Sequence, residues 1–238
     1  MGGPTMMSQF WADIAFLHWR VDPAVLSPFM PPGARPDVHD GSAWVGLLPF
    51  RMEGAAIGTG PTIPYFGTFW ETNVRIYSTD EHSRPGVVFL SLEAQRLAVV
   101  LGARIAFNVP YFWADMAGGR FGSSGMRYQT RRLGPRRLGS GPASEIEIEV
   151  GSAIGQPGPL ELFLSARFGL HTQVAGRGVW VPNSHRPWPL RHAKTTALSD
   201  QLMAATGLPD LPSMRPPDHA MFSTGVYTRF GMPSLMRC

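Results

Sequence analysis

The chain has 238 residues, of which 44% are hydrophobic and 11% aromatic, and this is enough apolar material for one large buried core. Only 16% of the residues are charged, while 27 glycines and 23 prolines favour many short strands and turns over long helices. The net charge of +4 does not indicate nucleic-acid binding, because the arginines are dispersed except at 127–137, where a solvated hairpin tip or loop explains the cluster.

The inventory of reactive residues limits covalent chemistry. Lys194 is the one lysine and Cys238 is the one cysteine, so a Schiff base or a thiolate nucleophile has few possible positions. One cysteine allows no internal disulfide, and no apolar run reaches the roughly 18 residues of a membrane span. With no export signal and no metal-binding motif, we expect a cytoplasmic protein that contacts neither membrane nor nucleic acid and uses no metal or cofactor.

The first half of the chain is predicted to form strands joined by turns. The expected elements are a strand at 14–21, a helix of about two turns capped by Asp22, a hairpin turn at Asp40 and Gly41, a strand at 43–52, a Gly/Pro-rich loop at 54–68, and strands at 69–78 and 86–94. Side chains alternate between the two faces of a strand, so Glu71, Asn73 and Arg75 share one face of the strand at 69–78.

The second half continues this pattern. The expected elements are a helix at 95–107 stopped by Pro110, a hairpin of strands at 125–133 and 144–152, a short helix from Pro159 through Leu164, a strand at 168–174, two strands within 176–190, a helix at 199–207 with Ser199 as cap and Gly207 as end, and a strand at 219–231. Glu145, Glu147 and Glu149 share one face of their hairpin strand, which predicts cross-strand ion pairs with arginines. The total predicts an α+β fold on an antiparallel sheet, in a single domain over 1–238.

Seven segments, taken in order, resemble one known family. They read FLHWRVDPAVLSPFMPPG, HDGSAWVGLLPFRM, ETNVRIYS, GVVFLSLEA, ARIAFNVPYFWADM, LFLSARFGLH and SHRPWPLRHA. Together they resemble the DUF2071 family, also called YqjF-like, over nearly the whole chain. That family is similar to acetoacetate decarboxylase. The resemblance implies a closed antiparallel β barrel around a ligand cavity, flanked by additional sheet and a few helices.

The resemblance also implies that the covalent chemistry of the decarboxylase is absent. That enzyme forms a Schiff base on one of two adjacent lysines, which follow a proline in a stretch resembling ARIAFNVP. Pro110 matches the proline, but Tyr111 and Phe112 stand at the two lysine positions. Lys194 lies in a different segment, and we interpret it as a surface lysine.

Three candidate site residues come from the same comparison. Glu71 matches a cavity glutamate of the decarboxylase and is a candidate acid or base, although an internal ion pair with Arg75 or Arg104 is an equal alternative. Arg104 stands where the decarboxylase has an arginine, and packing or ion pairing with a glutamate is the alternative to substrate contact. Tyr111 is either an acid, base or hydrogen-bond donor, or an aromatic ring that fills the former lysine site.

Further candidates are histidines and an arginine elsewhere. His18 alternates with apolar neighbours, so it is either a ligand contact or a core histidine. Arg167 and His171 share strand parity and either bind a carboxylate or take part in a hairpin salt bridge. His185 lies in a loop near aromatic residues and is a candidate for proton transfer.

Two classes of function remain open. In the first, a non-covalent enzyme of lyase, hydratase, isomerase or cyclase type acts on a small carbonyl- or carboxylate-bearing metabolite. Its catalytic residues are Glu71, Tyr111 and His185, and its substrate-binding residues are Arg75, Arg104, His18 and Arg167. In the second class, the same cavity binds a small molecule as a carrier or sensor. The expected partner is a small molecule in both classes, and a homo-oligomer is an open alternative to a monomer.

Overall fold

The computed structural model describes residues 3–65, 67–96, 109–134 and 141–236, and strands dominate these ranges. Within them the strands are β1 (Met7–Val21), β2 (Ala34–Pro36), β3 (Ala43–Ile57), β4 (Phe69–Asp80), β5 (Pro85–Ala94), β6 (Tyr111–Phe121), β7 (Gly125–Arg132), β8 (Ala143–Ala153), β9 (Gly169–Val174), β10 (Arg177–His185), β11 (Leu190–Asp200), β12 (His219–Phe230) and β13 (Ser234–Leu235). The short helices are α1 (Pro23–Leu26), α2 (Pro159–Ser165) and α3 (Leu211–Met214). The predicted fold is confirmed in its coarse form, a mostly-sheet protein with few helices.

The strands join into one sheet, in the order β13-β10-β9-β5-β6-β7-β8-β11-β12-β1-β3-β4-β2. Two additional pairings, β4 with β5 and β10 with β12, connect strands that lie far apart in this order. All pairs are antiparallel except that β5 runs parallel to β6 and to β9. The prediction of a purely antiparallel sheet is therefore wrong at β5. A parallel pair needs a long crossover connection, and residues 95–110 supply that length between β5 and β6.

A bulge at Asp13 changes which side chains of β1 face the core. Asp13 has a positive φ of 46°, and the register of β1 against β3 shifts between Ala12 and Leu17. Trp11 before the bulge, and Ile14 and Phe16 after it, all belong to one core cluster. Because alternation shifts by one residue at the bulge, His18 faces the same side as Trp11.

Contacts from other strands support this bulge. The Tyr128 hydroxyl donates to the Asp13 carbonyl at 2.7 Å, and Arg120 Nη2 donates to Asp13 Oδ1 at 2.6 Å. On the partner strand Gly225 has a φ of 125°, and a Cβ there would lie 2.1 Å from the carbonyl oxygen of Trp11. This position of β12 therefore requires glycine.

Asp22 caps α1 as predicted, with Oδ1 accepting a hydrogen bond from the Ala24 amide at 2.8 Å. A 3₁₀ turn over Ser27–Phe29 extends the helix. We expect Asp22→Ala to lower the free energy of unfolding by about 1 kcal/mol, because the first turn loses a partner for its free amides. Urea denaturation measures this loss. Asp22→Asn, which keeps the capping oxygen, should stay close to the wild type, and equal losses in both variants would contradict the capping role.

The helix predicted at 199–207 is wrong for most of its length. Strand β11 continues to Asp200, and a 3₁₀ turn over Ala204–Thr206 follows. Ser199 lies within β11 and does not cap the turn; the Asp200 carboxylate accepts a hydrogen bond from the Met203 amide at 2.9 Å. Gly207 ends the turn with a φ of 91°, as expected for a left-handed stop. The helix predicted at 95–107 falls almost wholly outside the described residues, and the helix predicted from Pro159 through Leu164 is α2.

Among the residues described, no helix combines the length and the apolar character that crossing a membrane requires.

Candidate functional site

Four polar side chains follow one face of β4: Glu71, Asn73, Arg75 and Tyr77. Strand β4 pairs with β3 in an unbroken register, so their alternation is regular. Tyr77 belongs to the same core cluster as Trp11. Val74 and Ile76, which alternate with the four polar residues along β4, pack into a second core cluster on the opposite face of the strand. The exposed fractions of Glu71, Asn73 and Arg75 are 2, 4 and 5%, and Tyr77 is fully buried. We call these four residues the β4 polar file. Polar groups are this deeply buried only where bonding or function compensates their desolvation.

Glu71 is hydrogen-bonded to Tyr111, the first residue of β6. The Tyr111 hydroxyl donates to Glu71 Oε2 at 3.1 Å. Burial raises the pKa of Glu71 from 4.5 to about 8, while the bond from Tyr111 opposes this rise and the nearby Glu93 adds to it. The same burial, with the charge of Glu71, raises the pKa of Tyr111 well above 10. Glu71 therefore exchanges its proton near neutral pH, and Tyr111 stays protonated as a donor.

The predicted ion pair between Glu71 and Arg75 does not form. Arg75 donates to the Tyr77 hydroxyl from Nε at 3.2 Å and from Nη2 at 3.0 Å, and to the Leu164 carbonyl of α2 at 2.9 Å. Arg75 forms no ion pair with any carboxylate in the described ranges. A buried cation without an anion is costly, so Arg75 is suited to an anionic ligand.

Sequence reasoning missed Tyr77, although it shares strand parity with Glu71 and Arg75. Besides the contacts of Arg75, its hydroxyl lies 2.6 Å from His18 Nε2 and 3.0 Å from the Leu164 carbonyl, to which it donates. Gly46 is on β3, which lies between β1 with His18 and β4 with Tyr77. A Cβ at Gly46 would come within 3.2 Å of the His18 ring. The absence of a side chain at Gly46 thus leaves room for His18 to approach Tyr77.

His18 is completely buried and stays neutral. Burial lowers the pKa of His18 well below 6.5, and the charges of Arg75 and His219 lower it further. Its Nδ1 has no hydrogen-bond partner among the described residues. His18 is thus a core histidine, one of its two predicted descriptions, and it also contacts the β4 polar file; its contact with a ligand stays a prediction.

Arg167 already has a carboxylate partner. Its Nη1 forms an ion pair with Asp37, and its Nε donates to the Phe163 carbonyl at 2.6 Å. The guanidinium also lies over the Tyr77 ring, 5.0 Å from its centroid. Arg167 precedes β9, so it does not share a strand with His171, and its ion pair is with Asp37 rather than within a hairpin. His171 instead bonds to Ser78 at 2.8 Å.

His185, at the end of β10, is separate from the Glu71–Tyr111 pair. Its Nδ1 lies 2.8 Å from the Arg186 carbonyl and its Nε2 lies 3.3 Å from the Arg167 carbonyl. The ring stacks on Phe168 with centroids 5.0 Å apart. Burial lowers the pKa of His185, while the two backbone contacts act in the opposite direction.

The remaining predictions concern the other basic residues. Arg104 lies outside the described residues. Lys194 is exposed on β11, opposite Glu149, as expected for a surface lysine. In the basic cluster, Arg127 forms the predicted cross-strand ion pair with Glu147 at 2.6 Å. Arg132 differs from the solvated interpretation, because it forms an ion pair with the fully buried Glu93.

The described parts of the chain contain no group of three or more His, Cys, Asp or Glu side chains placed to hold a metal ion.

The fold of the chain is similar to that of solved enzymes named acetoacetate decarboxylase or acetoacetate decarboxylase-like. Acetoacetate decarboxylase from Legionella pneumophila matches with a TM-score of 0.67 at 12% identity, over 99% of this chain and 88% of that one. The enduracididine biosynthesis enzyme MppR complexed with pyruvate matches with a TM-score of 0.64 at 14% identity, over 96% of this chain and 90% of that one.

The amino-acid sequence then identifies the family. The profile of DUF2071, described as an uncharacterized conserved protein, matches residues 8–227. The uncharacterized protein YqjF from Bacillus subtilis (strain 168) is 31% identical over 206 residues, which are 87% of this chain and 84% of that protein. The chain belongs to the DUF2071 family, and the resemblance noted in its segments is confirmed.

Proposed function

We propose that this protein is an enzyme that moves protons on a small carboxylate carrying a carbonyl group, without a covalent intermediate. The observation that carries the proposal is the buried Glu71–Tyr111 pair, in which the carboxyl has a pKa of about 8. An ordinary exposed carboxyl has a pKa near 4 and is a weaker base. A carboxyl matched to the working pH serves both as acid and as base, so Glu71 suits lyase, hydratase, isomerase or cyclase chemistry.

Arg75 supplies the second requirement, a site for the anionic group. Its Nε and Nη2 are bound to Tyr77 and Leu164, while Nη1 has no hydrogen-bond partner in the ranges described. A substrate carboxylate at Nη1 would neutralise the buried cation. The likeness to MppR complexed with pyruvate is compatible with this choice of substrate class.

The chemical step requires Glu71 in its ionised form. Glu71 takes a proton from the carbon next to the carbonyl, the electron pair of the C–H bond forms the C=C bond of an enolate, and negative charge moves to the carbonyl oxygen. Tyr111 keeps the carboxyl in place through its hydrogen bond. Return of the proton from Glu71 to the carbon or the oxygen of the enolate restores the ionised carboxylate. Lys194 takes no part in this step.

Closure of the sheet would give this chemistry an enclosed site. We infer that the pairings of β4 with β5 and of β10 with β12 close the sheet into a barrel, with the β4 polar file on its inner face. The inner residues Trp11, Phe16, Phe50 and Trp188 would then form apolar walls that exclude water.

Solvent deuterium exchange tests the proposal. The wild type should speed the replacement of hydrogen next to the carbonyl in at least one of pyruvate, 2-oxobutanoate and acetoacetate, followed by proton NMR in D₂O. Glu71→Gln should lower that rate about 100-fold or more, because the proton acceptor is lost. Tyr111→Phe should move the rise in rate to higher pH, since Tyr111 lowers the pKa of Glu71.

Lys194→Ala is the matched control and should keep the wild-type rate. Equal rates in Glu71→Gln and the wild type would contradict the role of Glu71. Binding of these acids without any exchange would instead favour the alternative, a carrier or sensor that uses the same interior.

A further inference from the structure

Asn73 has no role in the chemistry described so far, yet it lies between Glu71 and Arg75, which both have one. It occupies the same face of β4, two residues from Glu71 and two residues from Arg75, and is 4% exposed. Its Oδ1 is buried without a hydrogen-bond partner, and its side-chain amide forms no hydrogen bond with any described residue. Burying an amide without partners is unfavourable, so a ligand group that bonds to Asn73 would recover part of that cost.

The neighbours of Asn73 explain why the chain does not satisfy this amide. Its opposite residues on β3 and β5 are Leu48 and Leu92, which are apolar. Tyr111 lies opposite Leu92 on the next strand, but its hydroxyl bonds to Glu71. The two cross-strand neighbours of Asn73 therefore offer its amide no hydrogen-bonding group.

We propose that the Asn73 amide donates a hydrogen bond to the substrate oxygen on which negative charge develops, beside the anionic group held by Arg75. This inference rests on the proposed function. The side-chain amide carries two N–H groups, so it can present a donor to an oxygen of the substrate. A fixed donor in a dry environment stabilises an enolate oxygen more than the ground-state carbonyl oxygen. Asn73 is accordingly a catalytic residue that determines specificity for oxygen-bearing ligands.

Kinetics and binding test this role separately. In the exchange reaction, Asn73→Leu should lower kcat about 100-fold with KM changed less than about twofold, because the lost bond acts mainly on the enolate. Oxalate, which resembles the enolate of a 2-oxo acid, should bind Asn73→Leu about tenfold more weakly in calorimetry, while acetate affinity should hardly change.

Two further variants keep the result interpretable. Asn183→Leu replaces an asparagine on β10 that is also buried with an unpaired Oδ1, and it should behave as the wild type. Asn73→Ala also lacks the N–H donor and is smaller than leucine, so it should lose kcat and oxalate affinity as Asn73→Leu does, and it replaces that variant if leucine prevents folding.

The outcomes separate this inference from the proposed function. Normal kcat and oxalate affinity in the Asn73 variants, together with losses in Glu71→Gln and Arg75→Met, would overturn the role of Asn73 alone. Oxalate binding that does not depend on Arg75, with exchange that does not depend on Glu71, would overturn both. Losses in both Asn73 variants, with normal behaviour of Asn183→Leu, support the inference.

Discussion

Replacing Glu71 by Gln should remove a large part of the pH dependence of stability. The pKa of Glu71 is about 8 in the folded protein and about 4.5 as an ordinary carboxyl, so the folded state holds the proton more strongly. Stability from this group is complete below pH 4.5 and is lost as pH rises through 8. A shift of this size corresponds to about 4 kcal/mol between pH 5 and pH 9.

Urea denaturation at several pH values measures this difference. The free energy of unfolding of the wild type should fall relative to that of Glu71→Gln as pH rises, with the change concentrated between pH 5 and 8. The glutamine can still accept the hydrogen bond from Tyr111, so its own stability should be near normal at pH 5. The buried histidines titrate equally in both proteins and cancel in the comparison. Parallel curves for the two proteins would show that Glu71 ionises as an ordinary carboxyl.

Removing the partner of the other buried glutamate should destabilise the fold strongly. Glu93 is fully buried and Arg132 donates to it from Nε at 3.0 Å and to Ser91 at 2.8 Å. The guanidinium also covers the Phe112 ring, 3.6 Å from its centroid. Arg132→Met keeps most of the packing but leaves the carboxylate without a cation. We expect a loss of about 3 kcal/mol in the free energy of unfolding at pH 8.

The double variant Glu93→Gln, Arg132→Met separates charge from packing. Because it removes the unpaired carboxylate, it should regain more than half of the stability lost in the single variant. The loss in Arg132→Met should also shrink at low pH, where Glu93 can take up a proton. A single variant within about 1 kcal/mol of the wild type would mean that the pair contributes little.

Strand alternation was enough to predict the shared face of Glu71, Asn73 and Arg75, since β4 is regular along its whole pairing with β3. Local signals also predicted the Asp22 cap and the β7–β8 hairpin, because both depend on residues close in sequence or on simple charge pairing. The family resemblance directed attention to Tyr111 as the residue at the vacated lysine position.

Other features depend on contacts between distant segments. The Glu71–Tyr111 bond joins β4 to β6 across 40 residues, and no local pattern sets its geometry. Arg132 looked solvated in its basic surroundings, because the buried carboxylate that it meets lies on another strand. Tyr77 was missed because its hydroxyl contacts His18 and the Leu164 carbonyl, which lie far from it in sequence.

The bulge at Asp13 divides β1 into two half-strands of opposite phase. Adding or removing one residue within a half-strand would move all of its side chains to the opposite face of the sheet. Trp11 or His18 would then leave the core side, and a neighbouring residue would take its position. When related chains are aligned, a one-residue gap placed within either half-strand would therefore pair interior positions with exterior ones.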